Sequence, residues 1–223
     1  MGQHHFKINN VIKGTLNTSY GSFSLYCFSM TNEFDNHREQ SEHLALVKGE
    51  EKGWKGQVYY RLNSACLTSE VFNCERCDCK WQLDKAMEVI AKEGRGIITY
   101  HSNHEGRGFG LAAKLLSYEM MDTGVSSSDS YIMMGLGTED RRDYRAAIEI
   151  LNYFNVEEVL LLGNNKKKLQ ALEYSGVRVS GRYSLIYDGE KYAIHHYLNK
   201  KAVDPEQDLL RINLELAENG AVL

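Results

Sequence analysis

Four of the five cysteines in this 223-residue chain fall between Cys66 and Cys79, with the spacing C-x7-C-x2-C-x-C. Thiols gathered this closely in a reducing compartment point to metal binding or catalysis rather than to disulfides. The spacing departs from the paired C-x2-C knuckles of zinc ribbons. Four thiolates closing on one ion would make a structural site. Three would leave a fourth position for a water that the metal makes nucleophilic near neutral pH. Spacing alone leaves both arrangements open. Cys77 and Cys79 stand just before a helix at Trp81, where Asp78 is placed to cap and the helix dipole would favour thiolates. Cys27, alone in the apolar run Phe23 to Phe28, reads as a small buried hydrophobe.

These residues must be positioned by regular elements, and periodicity supplies them. Tyr20 to Phe28, His43 to Val47 and Gln57 to Leu62 read as strands. Leu83, Met87, Ile90 and Ala91 share one helical face, followed by a glycine stop and a buried strand at Ile97 to Tyr100. A second helix carries Leu111, Leu115, Leu116 and Met120, and a third carries Tyr144, Ala147, Ile148, Leu151 and Phe154. Then come a strand at Val159 to Leu162, a helix over Lys167 to Tyr174 and a strand at Val177 to Tyr187. The fold class expected is a single α/β domain, a mixed β-sheet with packed helices. Gln207 to Glu218 is expected to form an amphipathic helix.

Composition sets outer limits. Hydrophobic residues at 43% and charged residues at 25% support one sizeable core, and the single proline leaves no convincing linker. Met1 to Asn10 lack the apolar core of a secretory signal, and no run approaches a membrane span, so a cytoplasmic protein without membrane contact is expected. A net charge of −4 gives no support to a broad nucleic-acid surface. Any anion site must be local.

The string Ser64-Ala65-Cys66-Leu67-Thr68, followed by Cys77-Asp78-Cys79-Lys80-Trp81-Gln82-Leu83, resembles the zinc segment of the GTP cyclohydrolase II family, SECLT and then CDC with QL beyond it. Glu105-Gly106-Arg107-Gly108 is similar to its EGRG nucleotide loop, and Asp140-Arg141-Arg142-Asp143-Tyr144 to its D-x-RDY catalytic segment. Gly163 to Lys168 resembles TNNPKK, and His196-Tyr197-Leu198 resembles HYL. So many matches in one order exceed motif accident. The resemblance implies a GTP cyclohydrolase II-like catalytic domain over residues 12–201, a flexible segment over 1–11 and a tail or helix over 202–223.

It also implies the activity: hydrolysis of GTP with loss of C8 as formate and release of pyrophosphate. The product would be 2,5-diamino-6-(5-phosphoribosylamino)pyrimidin-4(3H)-one, the first riboflavin precursor. By resemblance Cys66, Cys77 and Cys79 hold one Zn2+ and Cys74 is spare. Asp140 is the proton acceptor, with a helix N-cap as its bland alternative. Arg142 acts at the α-phosphate, where contact is easier to credit than nucleophilicity because a guanidinium stays protonated. Tyr118 lies near the base. Arg61, Arg107 and Lys168 would meet phosphate, and Asn63, Ser64, Gln82, Glu105, Gly106, Ser127 and Gly163 would complete the substrate site. Mg2+ with the nucleotide and a homodimer are carried over in the same way.

The departures from the family pattern gather at the substrate site. Asn63 and Ala65 stand where the family has histidine and glutamate, which removes a carboxylate beside the metal. The loop from Tyr100 to Glu105 is one residue longer and lacks an arginine, and His104 is there either as a substitute donor or as loop surface. Gly163 replaces a threonine and Lys166 a proline. Ser127, in the serine run Ser126 to Ser128, is taken for the family's substrate threonine. Two further readings follow: a divergent relative that opens GTP or another purine nucleotide and stops at a formamidopyrimidine, or a zinc-stabilised binding module closed by Cys74.

Overall fold

The computed structural model describes residues 5–34, 37–49, 53–137, 140–202, 207, 208, 210 and 213. Strand β1 (His5–Thr18) and strand β2 (Gly21–Phe34) form a long hairpin, and β3 (His37–Lys48) pairs antiparallel with β2. Strand β4 (Val58–Ser64) leads through a four-residue helix α1 (Leu67–Glu70) to α2 (Cys79–Glu93) and β5 (Gly96–His101). A 3-10 segment (Ser102–Gly108) precedes α3 (Gly110–Asp122), α4 (Ser127–Met133) and α5 (Arg145–Tyr153). The chain continues through β6 (Glu158–Leu162), α6 (Lys166–Tyr174), β7 (Arg178–Tyr183) and α7 (Tyr192–Ala202).

The seven strands make one mixed sheet in the order β1-β2-β3-β5-β4-β6-β7. Pairing is antiparallel from β1 to β5 and parallel across β5-β4, β4-β6 and β6-β7, as the α/β reading expected. Side chains alternate faces along a strand. Ile97 and Leu161 therefore enter the core under α5, with Tyr60, Ile150 and Phe154, whereas Ile98 and Leu162 enter the core under α2, with Ala86 and Ile90. Helices cover both faces of the parallel half, which is why β5 and β6 read as near-continuous apolar runs, while the edge strand β7 does not.

Several expected boundaries move. Residues 5–11, expected as part of a flexible N-terminal segment, are strand in β1. Its apolar residues do not alternate cleanly because the register shifts between Ile8 and Asn10, and this keeps Phe6, Ile8 and Val11 all packed on the core. The strand expected over Val177 to Tyr187 ends at Tyr183. Beyond it, the Asn164 side chain takes the place of a neighbouring strand: its Oδ1 accepts from Leu185 N at 3.0 Å and its Nδ2 donates to Leu185 O at 2.6 Å. Helices α1, α4 and α7 and strand β1 had no sequence expectation. Of the helix expected over 207–218 and the tail over 202–223, most lies outside the described residues. Leu210 is buried against Tyr187, Ile194 and Leu198. Among the described residues no helix is long and apolar enough to cross a membrane.

Three adjacent parallel strands, β5, β4 and β6, end on the same edge of the sheet, so the segments that follow them meet there. The crevice outside the carboxyl ends of such strands is where α/β folds bind ligands. The cysteine segment follows β4, the Glu105 to Gly108 loop follows β5 and the Gly163 to Lys168 segment follows β6.

Candidate active site and metal centre

Cys66 occupies the residue before α1, and Cys77 and Cys79 flank Asp78 at the start of α2. The fold brings their sulfurs together: all three lie within 4.8 Å of one another, with Cys66 Sγ and Cys77 Sγ 3.6 Å apart. Two sulfurs each about 2.3 Å from a tetrahedral ion stand roughly 3.8 Å apart, so the group fits a small thiophilic metal with a position left open. Cys74 is not in this group; its backbone N–H donates to Thr68 O at 2.9 Å. Asp78 does not cap α2 with its side chain as expected. It is fully buried, and its Oδ2 accepts from Gln82 Nε2 at 2.5 Å.

A cation not foreseen in the sequence completes this corner. Lys114, one turn before Tyr118 on α3, places Nζ 2.9 Å from Cys66 Sγ and 2.6 Å from Glu105 Oε1. Hydrogen bonds from Cys77 and Cys79, and then the Lys114 ammonium, hold Cys66 well below the usual thiol range despite burial. The bond to Cys66 pushes Cys77 the other way. Burial works against the charge on Lys114, but Cys66 and Glu105 more than offset it. The other oxygen of Glu105 accepts from Leu67 N at 2.6 Å, so this carboxylate is committed to the α1 N-terminus.

Glu70, at the end of α1, brings a carboxylate to the backbone of Cys66. Its Oε2 accepts from Cys66 N at 3.1 Å and from the Tyr100 hydroxyl at 2.7 Å, and its Oε1 accepts from Asn63 Nδ2 at 2.8 Å. Asn63 Oδ1 in turn accepts from both Nε and Nη2 of Arg61 at 3.2 Å, while Gln82 Oε1 accepts from Nη2 at 2.9 Å and Leu162 O accepts from Nη1 at 3.2 Å. Arg61, expected to meet phosphate, lines the cavity while buried and hydrogen-bonded to these protein partners. Gly163 makes room for it: a Cβ there would lie 3.0 Å from Arg61 Nη1. The replacements at Asn63 and Gly163 thus meet at one guanidinium.

A cavity of about 930 Å³ opens above these residues. Arg61, Asn63, Ser64, Gln82, Glu105, Gly106, Arg107, Tyr118, Ser127, Arg142, Gly163 and Lys168 all line it, together with the three cysteines. Lys168 Nζ donates to Leu62 O at 2.8 Å, and its ammonium is held well below the usual lysine range by burial and then by repulsion from Arg61, Arg142 and Lys201. Cations crowded this closely around a cavity are a site for a polyanion. Lys201, on α7, was not singled out in the sequence; it also faces Asp78 Oδ1 at 3.7 Å.

The remaining expected residues have definite partners. Tyr118 shares a 2.8 Å hydrogen bond with Thr68 Oγ1 and lies under the Arg76 guanidinium at 4.9 Å, and burial pushes its phenol up to about 12. Arg107 donates to Ser128 Oγ at 2.8 Å, so within the serine run it is Ser128 that holds the loop; Ser127 lines the cavity beside it. Gly108 must be glycine: φ is +85° and a Cβ would come 3.0 Å from the Arg141 backbone. That approach, with Arg141 N donating to Arg107 O at 3.0 Å, docks the 140–144 segment on the loop. Asp140 is not among the cavity-lining residues. Its carboxylate accepts from Arg142 Nε at 2.8 Å and Nη2 at 2.5 Å, so the two residues expected to act at opposite ends of a nucleotide are directly paired.

The sequence profile of GTP cyclohydrolase II matches residues 9–184. The riboflavin biosynthesis protein RibBA of Staphylococcus haemolyticus is 39% identical over 193 residues, 86% of this chain and 45% of that protein, so the chain spans less than half the length of this relative. The GTP cyclohydrolase-2 of Buchnera aphidicola subsp. Baizongia pistaciae is 35% identical over 196 residues, 88% of this chain and 94% of that one. Motif order, a thiol triad and a cation-lined cavity at one sheet edge, and these matches agree: the chain belongs to the GTP cyclohydrolase II family.

Proposed function

We propose that the protein is a zinc-dependent hydrolase that opens the guanine ring of GTP at C8, releasing formate and pyrophosphate as the first step of riboflavin synthesis. The observation that carries this reading is that the three-thiol group and the cluster Arg61, Arg142, Lys168 and Lys201 share one cavity. Bound at Cys66, Cys77 and Cys79, zinc would supply a Lewis acid that makes water nucleophilic near neutral pH. The protein's own residues do the rest. Lys114 and Glu70 hold Cys66 in place, Tyr118 lies on the wall beside the thiols, and Arg107 with the cation cluster receives the phosphates. Competition by phosphate for Arg142 would free the Asp140 carboxylate to accept a proton, so the two act in succession. Magnesium enters with the triphosphate as counter-charge. A homodimer in the cytoplasm, where free thiols persist, completes the proposal.

The test is incubation of zinc-loaded protein and magnesium with GTP, ATP, GMP and inosine triphosphate, following purine absorbance and scoring formate separately. GTP converted to formate and pyrophosphate is the expected outcome. Ring opening without formate would support the divergent relative, a reading favoured by the replacements at Asn63 and Gly163 that meet at Arg61. No change with any nucleotide would overturn both.

Gly163→Thr is expected to crowd the Arg61 guanidinium and weaken GTP binding about tenfold, the scale of one hydrogen bond to a charged group. Gly163→Ala, adding only a Cβ, should cost less. Dissociation constants by calorimetry check this, and equal affinities across the series would show that Arg61 does not set the cavity floor.

A further inference from the structure

His104 sits in the lengthened loop, and none of the roles above uses it. It is 2% exposed, and it joins three site-bearing segments. Its Nε2 is 2.9 Å from the backbone oxygen of Asp143, in the catalytic segment. Its Nδ1 is 3.2 Å from Ser64 Oγ, at the end of β4. The ring is clamped between His101, stacked at 4.8 Å, and the edge contact of Tyr144 at 5.4 Å.

The hydrogen positions follow from what each partner can do. A carbonyl oxygen only accepts, so Nε2 carries the hydrogen. Burial above all, with repulsion from Lys168 and Arg142, lowers the ring to about 3, so near neutral pH it bears a single N–H. Nδ1 is then a lone pair, and the Ser64 hydroxyl must donate to it. Ser64 lines the cavity, and with its hydrogen committed to His104 it has only lone pairs to offer there.

We propose that His104 is a positioning residue that makes Ser64 an obligate acceptor on the cavity wall, so that this point of the site selects a hydrogen-bond donor, N–H or O–H, on the nucleotide. The proposal rests on the nucleotide-hydrolase reading above and names a specificity element within it.

Two measurements test it. Imidazole 15N NMR of the intact protein reports the tautomer directly: the expected result is a neutral His104 with hydrogen on Nε2, whose Nδ1 resonance moves in Ser64→Ala. Hydrogen on Nδ1, or an Nδ1 signal indifferent to Ser64→Ala, would overturn the proposal. The second measurement is steady-state kinetics. His104→Gln keeps a donor near the Nε2 position but loses the contact with Ser64, whereas His104→Asn keeps an acceptor near the Nδ1 position. His104→Gln should raise KM for GTP about tenfold with little change in kcat, and His104→Asn should raise it less. In a Ser64→Ala background both should be silent. A His104→Gln effect that persists undiminished in that background would sink the idea. Should the native protein fail to turn over any nucleotide, the hydrolase reading falls while the NMR result still decides the tautomer.

Discussion

Cys77→Ser is expected to yield protein without stoichiometric zinc and with turnover reduced by more than about 100-fold, the loss that even a supporting residue of a metal site can incur. The Cys77 sulfur is buried 3.6 Å from Cys66 Sγ, and among the described residues the group holds no fourth thiol to replace it. A serine hydroxyl in its place stays protonated at neutral pH and is a poor partner for a thiophilic ion. Cys74→Ser should behave oppositely, keeping both zinc and turnover, because the Cys74 sulfur lies outside the three-thiol group. Metal analysis of the two purified variants beside the native protein checks the pair. Loss of zinc from Cys74→Ser would restore the closed four-thiolate site that spacing alone left open.

Arg142→Ala should lower turnover by about 10²–10³-fold, the scale of removing one preorganised donor from developing charge. It should also destabilise the fold by about 3 kcal/mol. The second effect arises because the pair is enclosed, with side-chain exposures of 18% for Arg142 and 4% for Asp140, so that removing Arg142 leaves the buried carboxylate only the lesser attraction of Lys167. Asp140→Asn separates the two contributions, since it keeps the shape while removing the charge. Burial alone would raise the Asp140 carboxyl, but the hydrogen bonds and charge of Arg142 outweigh it and hold the group below 3.8. A carboxylate depressed in this way favours the fold above its unfolded value and loses that contribution as pH falls through the folded one. Acid destabilisation below about pH 4 should therefore be steeper in the native protein than in Asp140→Asn. Unfolding curves at neutral and acidic pH, set beside pyrophosphate release at neutral pH, check both halves. Normal pyrophosphate release by Arg142→Ala would remove Arg142 from the phosphate end of the site.

Local chemistry was legible where it is written in consecutive residues. The cysteine spacing, the glycine-bounded loop at Glu105 to Gly108 and the 3.6-residue periodicity of α2 and α5 depend on neighbours in the chain; α3 was found as a helix, but Leu115 and Leu116 of its expected apolar face are exposed. Strands β5 and β6 announce themselves as apolar runs. The edge strand β1 did not, because a register shift breaks its alternation and its backbone bonds come from β2 rather than from any pattern of its own. Glu70 stood one helical turn beyond Cys66 and could have been picked out as a carboxylate placed to meet its backbone. Lys114, one turn before Tyr118 on the helix face toward the thiols, carried a similar signal.

By itself the sequence determined the candidate metal ligands, the α/β class and the family's order of motifs, since each is a short-range property of the chain. Only the tertiary structure decided what those residues do to one another. Arg61 is bound to Asn63, Gln82 and Leu162, Asp140 is paired to Arg142, and His104 is a buried link between Ser64 and Asp143 rather than loop surface. Most of these contacts join segments far apart in the chain, brought together where β5, β4 and β6 end on one sheet edge. Their strength comes from burial, which neither spacing nor periodicity specifies.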